Sequence, residues 1–366
     1  MVEHIPIPAH KGRAAQSNTS GRYEKLSRHA IDDGWPDISL ADTNTVPKLK
    51  TSVSLEYPKK IISRNASPDV PFDRSINPYR GCEHGCIYCF ARPTHAYQGL
   101  SAGLDFETRL FSKPDSAGLL ETELRNPGYV CKTLQLGANT DPYQPIERKL
   151  KVTREILQVL AAFRHPVTIT TKSDLVLRDL DILVPMAKQG LVNIGISITT
   201  LDPGLARAME PRAPRPEKRL ATIRSLSGAG IPVRIMFAPV IPALTDWEME
   251  RVLSAASDNG ATGANYILLR LPGEVSQLFR EWMQKHVPLK TNHVLSLMHQ
   301  TRRGKLYVSG FGERMKGHGH YAELIARRYD LALKKTGLTG RSREEYALNC
   351  SLFQVPLAKG NQLALF

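Results

Sequence analysis

The chain has 366 residues, 42% of them hydrophobic, with a formal net charge of +14, enough for one large α/β core with appendages. No apolar run is long enough to span a bilayer, and Met1-Val2-Glu3-His4-Ile5-Pro6 lacks a signal-peptide pattern, so a cytoplasmic protein without membrane association is expected. The charge disfavours an enzyme of small neutral substrates and points to a polyanionic partner, nucleic acid first, with solubility as the plainer reading.

Residues 1–66 are polar and broken by Pro, Ser, Asn and Gly, without sustained periodicity. They read as an extended, partly disordered N-terminal arm wrapping the domain. From about Phe72 strands and helices alternate. Strands are expected at 75–79, 133–137, 167–171, 192–198, 233–239 and 265–269. Amphipathic helices are expected at 153–163, 175–189, 216–229 and 246–259, the first with Ile156, Leu157 and Leu160 on one face. Gly190, Gly230 and Gly260 follow three of them as C-cap signals. The expected fold class is therefore α/β: a partial (β/α)6 TIM-like barrel over residues 67–300. A basic helical C-terminal region (301–348) and a flexible tail (349–366) complete the chain.

Three of the five cysteines fall in Arg80-Gly81-Cys82-Glu83-His84-Gly85-Cys86-Ile87-Tyr88-Cys89-Phe90. The spacing C-x3-C-x2-C is that of ligands, not of a disulfide framework. A closed zinc site takes four protein ligands, and an ordinary iron–sulfur cluster takes four thiolates. Three thiolates leave one iron of a [4Fe–4S] cluster open to a small molecule. Gly81 and Gly85 permit tight turns around a bulky core. His84 either hydrogen-bonds a sulfide or lies at the surface. Cys131 and Cys350 are far apart in sequence and cannot supply a second three-cysteine site; Cys131 reads as a buried structural cysteine.

In such barrels the chemistry sits at the C-terminal strand ends. The first expected strand leads into the cysteine loop. The second leads into Gly137-Ala138-Asn139-Thr140-Asp141-Pro142-Tyr143-Gln144-Pro145-Ile146-Glu147. The others lead into Thr171-Lys172-Ser173, Ser197-Ile198-Thr199-Thr200, Pro239-Val240-Ile241-Pro242 and Arg270. Each run alone is ordinary turn chemistry; together at one barrel face they make a shared site.

With these residues in place, the chain resembles the radical SAM superfamily over roughly residues 72–271. The carriers are Cys82, Cys86 and Cys89, the aromatic Tyr88 before the last of them, and the repeats that follow. The wording Asn-Pro-Tyr-Arg-Gly-Cys-Glu-His-Gly-Cys-Ile-Tyr-Cys-Phe resembles the branch related to spore photoproduct lyase and described as DNA repair photolyase-like. The resemblance implies a [4Fe–4S] cluster ligated by Cys82, Cys86 and Cys89. It implies S-adenosylmethionine on the open iron, cleaved by one electron to a 5′-deoxyadenosyl radical that abstracts a substrate hydrogen. Tyr88 is then expected near the adenine, and Gly137, Ala138 and Asn139 near the methionine amino group. Lys172 and Ser173 are expected at its carboxylate or the ribose, and Ser197 at the ribose. A reductant such as flavodoxin or ferredoxin is also implied. Two departures stand out: Asn139 occupies the place of the lyase's hydrogen-donating cysteine, and Phe90 that of a tyrosine. A different lesion or hydrogen donor is expected, Tyr143 or the cofactor itself.

Between Thr301 and Arg343 eleven Lys or Arg face three acids, with Tyr307, Phe311, Tyr321 and Tyr329 interleaved. Cations for phosphates beside aromatics for bases are a nucleic-acid signature. His318 and His320 read as a glycine-loop phosphate contact, with a metal tract as the lesser reading. The terminal Gln362-Leu363-Ala364-Leu365-Phe366 resembles the motif by which bacterial polymerases and repair proteins bind the β sliding clamp. Leu363, Leu365 and Phe366 would enter an apolar pocket and Gln362 its rim. The function expected is repair or modification of nucleic acid, DNA favoured. RNA modification is one alternative. A zinc-dependent, non-catalytic nucleic-acid-binding protein, its site completed by His84 or a remote histidine, is the other.

Overall fold

The structure, a computed structural model, describes residues 10–24, 49–340 and 348–357. Its centre is a seven-stranded sheet, ordered β10-β9-β8-β7-β6-β3-β2. The strands are β1 (Ser52–Leu55), β2 (Ser63–Arg64), β3 (Arg74–Ile76), β4 (Tyr79–Arg80), β5 (Arg109–Ser112), β6 (Leu134–Leu136), β7 (Val167–Thr171), β8 (Val192–Ser197), β9 (Val233–Val240) and β10 (Gly263–Leu268). β3 and β6 to β10 pair in parallel, and β2 is antiparallel to β3. These six parallel strands are the expected (β/α)6 set. Their near-continuous burial explains why they read as apolar runs rather than alternations.

The barrel stays open. Among the described residues β10 forms a strand ladder only with β9, apart from an isolated bridge from Gly263 to Thr339, and β2 only with β3. Across the gap, Asp69 accepts bonds from the Gly312 amide and the Arg314 guanidinium, which also reaches Ser67.

The helix Val152–Ala162 buries Ile156, Leu157 and Leu160 against the sheet. Its partners Pro216–Gly228 and Met249–Asp258 do the same, and Gly190, Gly230 and Gly260 adopt positive φ behind their helices. The expected helix 175–189 divides instead into a 3-10 turn, Asp174–Asp179, and a helix, Leu180–Lys188. Asp179, fully buried at the division, is held by Tyr143, Arg154 and Arg178.

Other expectations need correction. The first strand divides at Asn77-Pro78, because proline has no N–H for the ladder. β4 joins a separate sheet, β1-β5-β4. The arm carries β1 and β2, too short and exposed for periodicity to reveal. Residues 349–357 of the expected tail are docked: the Gln354 amide donates to Phe163 O, and Phe353 packs among Tyr129, Phe163 and His165. Cys131 is only half-buried, and Cys350 lies beside it; burial and that neighbour push the Cys131 thiol up to about 12. The tail motif at Gln362, Leu363, Leu365 and Phe366 lies outside the described residues. Among the described residues no helix is long and apolar enough to cross a membrane.

The basic C-terminal region is less free than its composition implied. The helix His320–Thr336 sends Ile325, Tyr329 and Ala332 into the main core. Arg302 donates to the carbonyls of Leu268, Leu269 and Glu313. Arg303 pairs with Glu313, Arg314 with Asp69 and Arg328 with Glu250. Tyr321 donates to Asp246 and Tyr329 to Ala264 O, so neither is an open stacking platform.

Candidate active site

The cysteine loop leaves β4 as a series of tight turns. Gly85 N donates to Cys82 O at 3.1 Å and Cys89 N to Cys86 O at 3.2 Å. Gly85 is left-handed (φ +65°), and a Cβ there would stand 2.7 Å from the Glu107 carboxylate. Arg92, fully buried, fastens the loop from behind. It donates to the carbonyls of Cys86, Gly85, Ala102 and Gly103 and pairs with Glu107. Glu107 in turn accepts the amides of Ala14 and Ala15, which seats the N-terminal arm on the loop.

The loop closes one side of a cavity of about 590 Å³. Cys82, Cys86 and Cys89 line it together with Tyr88, Gly137, Ala138, Asn139, Lys172 and Ser197. Four separated sequence segments therefore meet where the strand-end argument expected. Gly137 shows why the β6 turn carries no side chain: at φ +86°, a Cβ would lie 2.3 Å from Thr170 O. Ser197 stands buried at the end of β8.

Two expected residues do not join. Ser173 turns its Oγ to the Leu175 amide as a helix cap and does not line the cavity. Tyr143 is fully buried in the core with its hydroxyl on Asp179, 3.0 Å away, so it is no hydrogen donor to this cavity. His84, offered as a surface or sulfide-facing residue, is buried, with Nδ1 3.3 Å from Asp141 Oδ2.

Two carboxylates that the sequence reading did not single out organise the walls. Asp141 accepts Thr171 Oγ1 at 2.6 Å, the Lys172 amide at 2.8 Å and the Tyr143 amide at 2.9 Å. Burial would raise its pKa, but His84 and these bonds hold it near 2. Glu210 accepts from Tyr88, Thr199 and Arg219, with Lys172 Nζ at 3.9 Å. Burial is again outweighed: Arg219 and Lys172 bring Glu210 down to about 2. Lys172 keeps its proton for the complementary reason, since Glu210 and Cys86 overcome its desolvation. The only sequence signal for Glu210 was a lone acid in Met209-Glu210-Pro211-Arg212, which is ordinary surface composition.

The donor set fits an iron–sulfur cluster. The three thiols are free of disulfides and face one cavity. Three thiols without a fourth cysteine beside them suit a cluster with one open iron better than a closed four-ligand zinc site. Burial raises all three thiol pKa values, Cys86 to about 12. Loading must therefore expel protons.

Known proteins agree with this geometry. An uncharacterised protein of Mycobacterium tuberculosis is 37% identical over 265 residues, 72% of this chain and 76% of the relative. One of Methanocaldococcus jannaschii is 31% identical over 173 residues, 47% of this chain and 62% of the relative. Spore photoproduct lyase complexed with dinucleoside spore photoproduct superposes with a TM-score of 0.57 at 15% identity, over 79% of this chain and 81% of that one. A variant of it with bound AdoMet and the same dinucleoside gives 0.55 at 16% identity, over 79% and 80%. At those identities the likeness is one of fold. The family profile of the Radical SAM superfamily matches residues 76–256, and with the cysteine loop at the C-terminal end of six parallel strands the chain belongs to that superfamily, whose cofactors are a [4Fe–4S] cluster and S-adenosylmethionine.

Proposed function

We propose that this radical SAM enzyme repairs or modifies nucleic acid, DNA before RNA, in the cytoplasm. The observation that carries the reading is the single cavity shared by the cysteine loop and the ends of β6, β7 and β8. Support for the substrate class comes from the charge of +14 and from the lyase of like fold, which is complexed with a dinucleoside spore photoproduct. Cys82, Cys86 and Cys89 would hold the cluster through their thiolates. When bound, the cluster and S-adenosylmethionine supply one-electron cleavage and a hydrogen-abstracting carbon radical.

The chain's own residues bind, orient and exclude water. Lys172, its charge kept by Glu210, would meet the methionine carboxylate. The β6 turn at Gly137, Ala138 and Asn139 would receive the amino group, Tyr88 would border the adenine, and Ser197 would reach the ribose. Ser173 serves this set by capping the turn Asp174–Asp179 that follows Lys172. Flavodoxin or ferredoxin is the class of reductant proposed. The terminal Gln362–Phe366 segment is proposed to bind the β sliding clamp.

The test is anaerobic reconstitution followed by incubation with ultraviolet-damaged DNA and, separately, with a tRNA pool. 5′-Deoxyadenosine that rises with DNA is expected; a rise with tRNA alone transfers the reading to RNA, and no dependence on either removes nucleic acid as substrate. Clamp pull-down before and after deletion of residues 362–366 checks recruitment, and equal capture by both forms counts against it.

A further inference from the structure

One arginine at the cavity mouth lacks the carboxylate partner that Arg219 and Arg314 have. Arg270 follows β10, on the open side of the barrel. Its guanidinium carbon lies 4.8 Å from the Phe90 ring centroid and 6.0 Å from that of Tyr307. Phe90 directly follows the last cluster cysteine, so this stack reaches across the opening from the last parallel strand to the cysteine loop. The rings hold the cation in place but provide few hydrogen-bond acceptors. The remaining contacts are weak: Met315 Sδ at 3.7 Å and the Tyr307 hydroxyl at 3.5 Å. Arg270 Nε is buried with no partner, and among the described residues no carboxylate pairs with the side chain.

Its surroundings sharpen the contrast. Arg314, on the same cavity wall, is also stacked on an aromatic, Phe311, at 4.8 Å. It is held by Asp69 and Ser67 and so has its counter-charge. Arg302 makes three backbone bonds, yet burial and the nearby Arg270 charge hold it down to about 10. Two cations without an acid between them are costly in a partly dry site. An arriving anion removes that cost and takes up the unused donors, preferably in the two-pronged geometry that guanidinium offers phosphate.

We infer that Arg270, clamped between Phe90 and Tyr307, is the anchor for a phosphodiester of the nucleic-acid substrate at the mouth of the cavity. The inference rests on the nucleic-acid reading above. The carboxylate of S-adenosylmethionine is the other anion within the cavity. It is better matched by Lys172, which sits against Cys86 and the Tyr88 ring. Phe90, beside Arg270, is 41% exposed, so an anion there arrives from the solvent side. The ring of Phe90 and that of Tyr307 then stand where flanking bases can stack.

The experiment compares wild-type, Arg270→Gln and Arg270→Lys holoenzymes, each first checked for iron content and melting temperature. A labelled single-stranded DNA 12-mer is titrated by fluorescence anisotropy across a salt series, and S-adenosylmethionine affinity is measured in parallel. Arg270→Gln should weaken DNA binding at least tenfold and reduce the salt slope by about 0.7, the value for one phosphate contact on a single strand. Arg270→Lys should recover part of the affinity, because it restores charge without the fork. S-Adenosylmethionine affinity should not move. Wild-type DNA binding that survives Arg270→Gln intact overturns the anchor alone. Loss of S-adenosylmethionine affinity with DNA binding intact reassigns the arginine to the cofactor and also overturns it. A wild-type protein that binds no DNA overturns the anchor together with the substrate reading.

Discussion

The deep wall of the cavity and its mouth use similar residues in opposite states. On the deep wall, Glu210 gathers Arg219, Tyr88, Thr199 and Lys172, and Asp141 gathers His84, Thr171 and two backbone amides. At the mouth, Arg270 has two rings, a thioether and a distant phenol. A paired buried charge fixes geometry before any ligand arrives. An unpaired one leaves binding capacity for the ligand to use. The comparison separates a wall built to orient a cofactor from a rim built to receive a substrate, and each half can be broken separately.

The largest effect is expected at the loop itself. Cys86→Ala removes one of three thiolates, and a two-thiolate loop does not retain the cluster. Iron should fall from about four per chain to near zero, and S-adenosylmethionine cleavage should vanish with it. Cleavage that persists would sink the mechanism.

Next comes Glu210→Gln. The substitution keeps the volume but leaves Arg219 and Lys172 facing each other in a buried wall. Breaking one partner of such a pair costs about 3–5 kcal/mol, to be read by urea unfolding of the cluster-free protein. A loss below about 1 kcal/mol would show that the wall is not held by this carboxylate.

The same two acids set an acid limb. Asp141 and Glu210 both titrate near 2 in the folded protein, below their ordinary values of 3.8 and 4.5. A depressed carboxylate stabilises fully above its unfolded pKa and loses that contribution as pH falls through the folded one. Buried His165, lowered to about 4, brings its own fall in the unfolding free energy of the cluster-free protein below about pH 6.5; the contribution of the two acids should be constant above about pH 5 and fall between about pH 4.5 and 2, on the order of 2 kcal/mol per group. Glu210→Gln should flatten part of that limb, and an unchanged limb would exclude Glu210 as a source.

How much of this was legible in the sequence follows from the range of each interaction. β7 runs over 167–171 as expected, and β8 and β9 lie within one residue of the expectation, because parallel strands buried on both faces leave apolar runs. The cysteine loop was readable because its ligands are adjacent in the chain. Glu210 was not, since its partners come from residues 88, 172, 199 and 219, and only folding brings them together. Tyr143 was misread for the converse reason. It lies two residues from Asp141, yet the turn sends Asp141 to the cavity and Tyr143 into the core. In the basic stretch 301–343, composition counts Arg302, Arg303, Arg314 and Arg328 without showing that carbonyls and carboxylates already engage these four.

The smallest stability effect belongs to the mouth, and there smallness is the informative result. If Arg270 were a structural tie like Arg219, its removal would leave acceptors unsatisfied and cost several kcal/mol. Its contacts are instead two aromatic faces and two long, weak bonds. Arg270→Gln also relieves the repulsion felt by Arg302. The unfolding free energy should therefore change by less than about 1 kcal/mol, in either direction, while Arg219→Gln, which strands Glu210, should cost about 3–5 kcal/mol. Paired urea titrations of the two variants decide the point. Equal losses would mean that rim and wall are both structural, and Arg270 would then have no capacity in reserve for a phosphate.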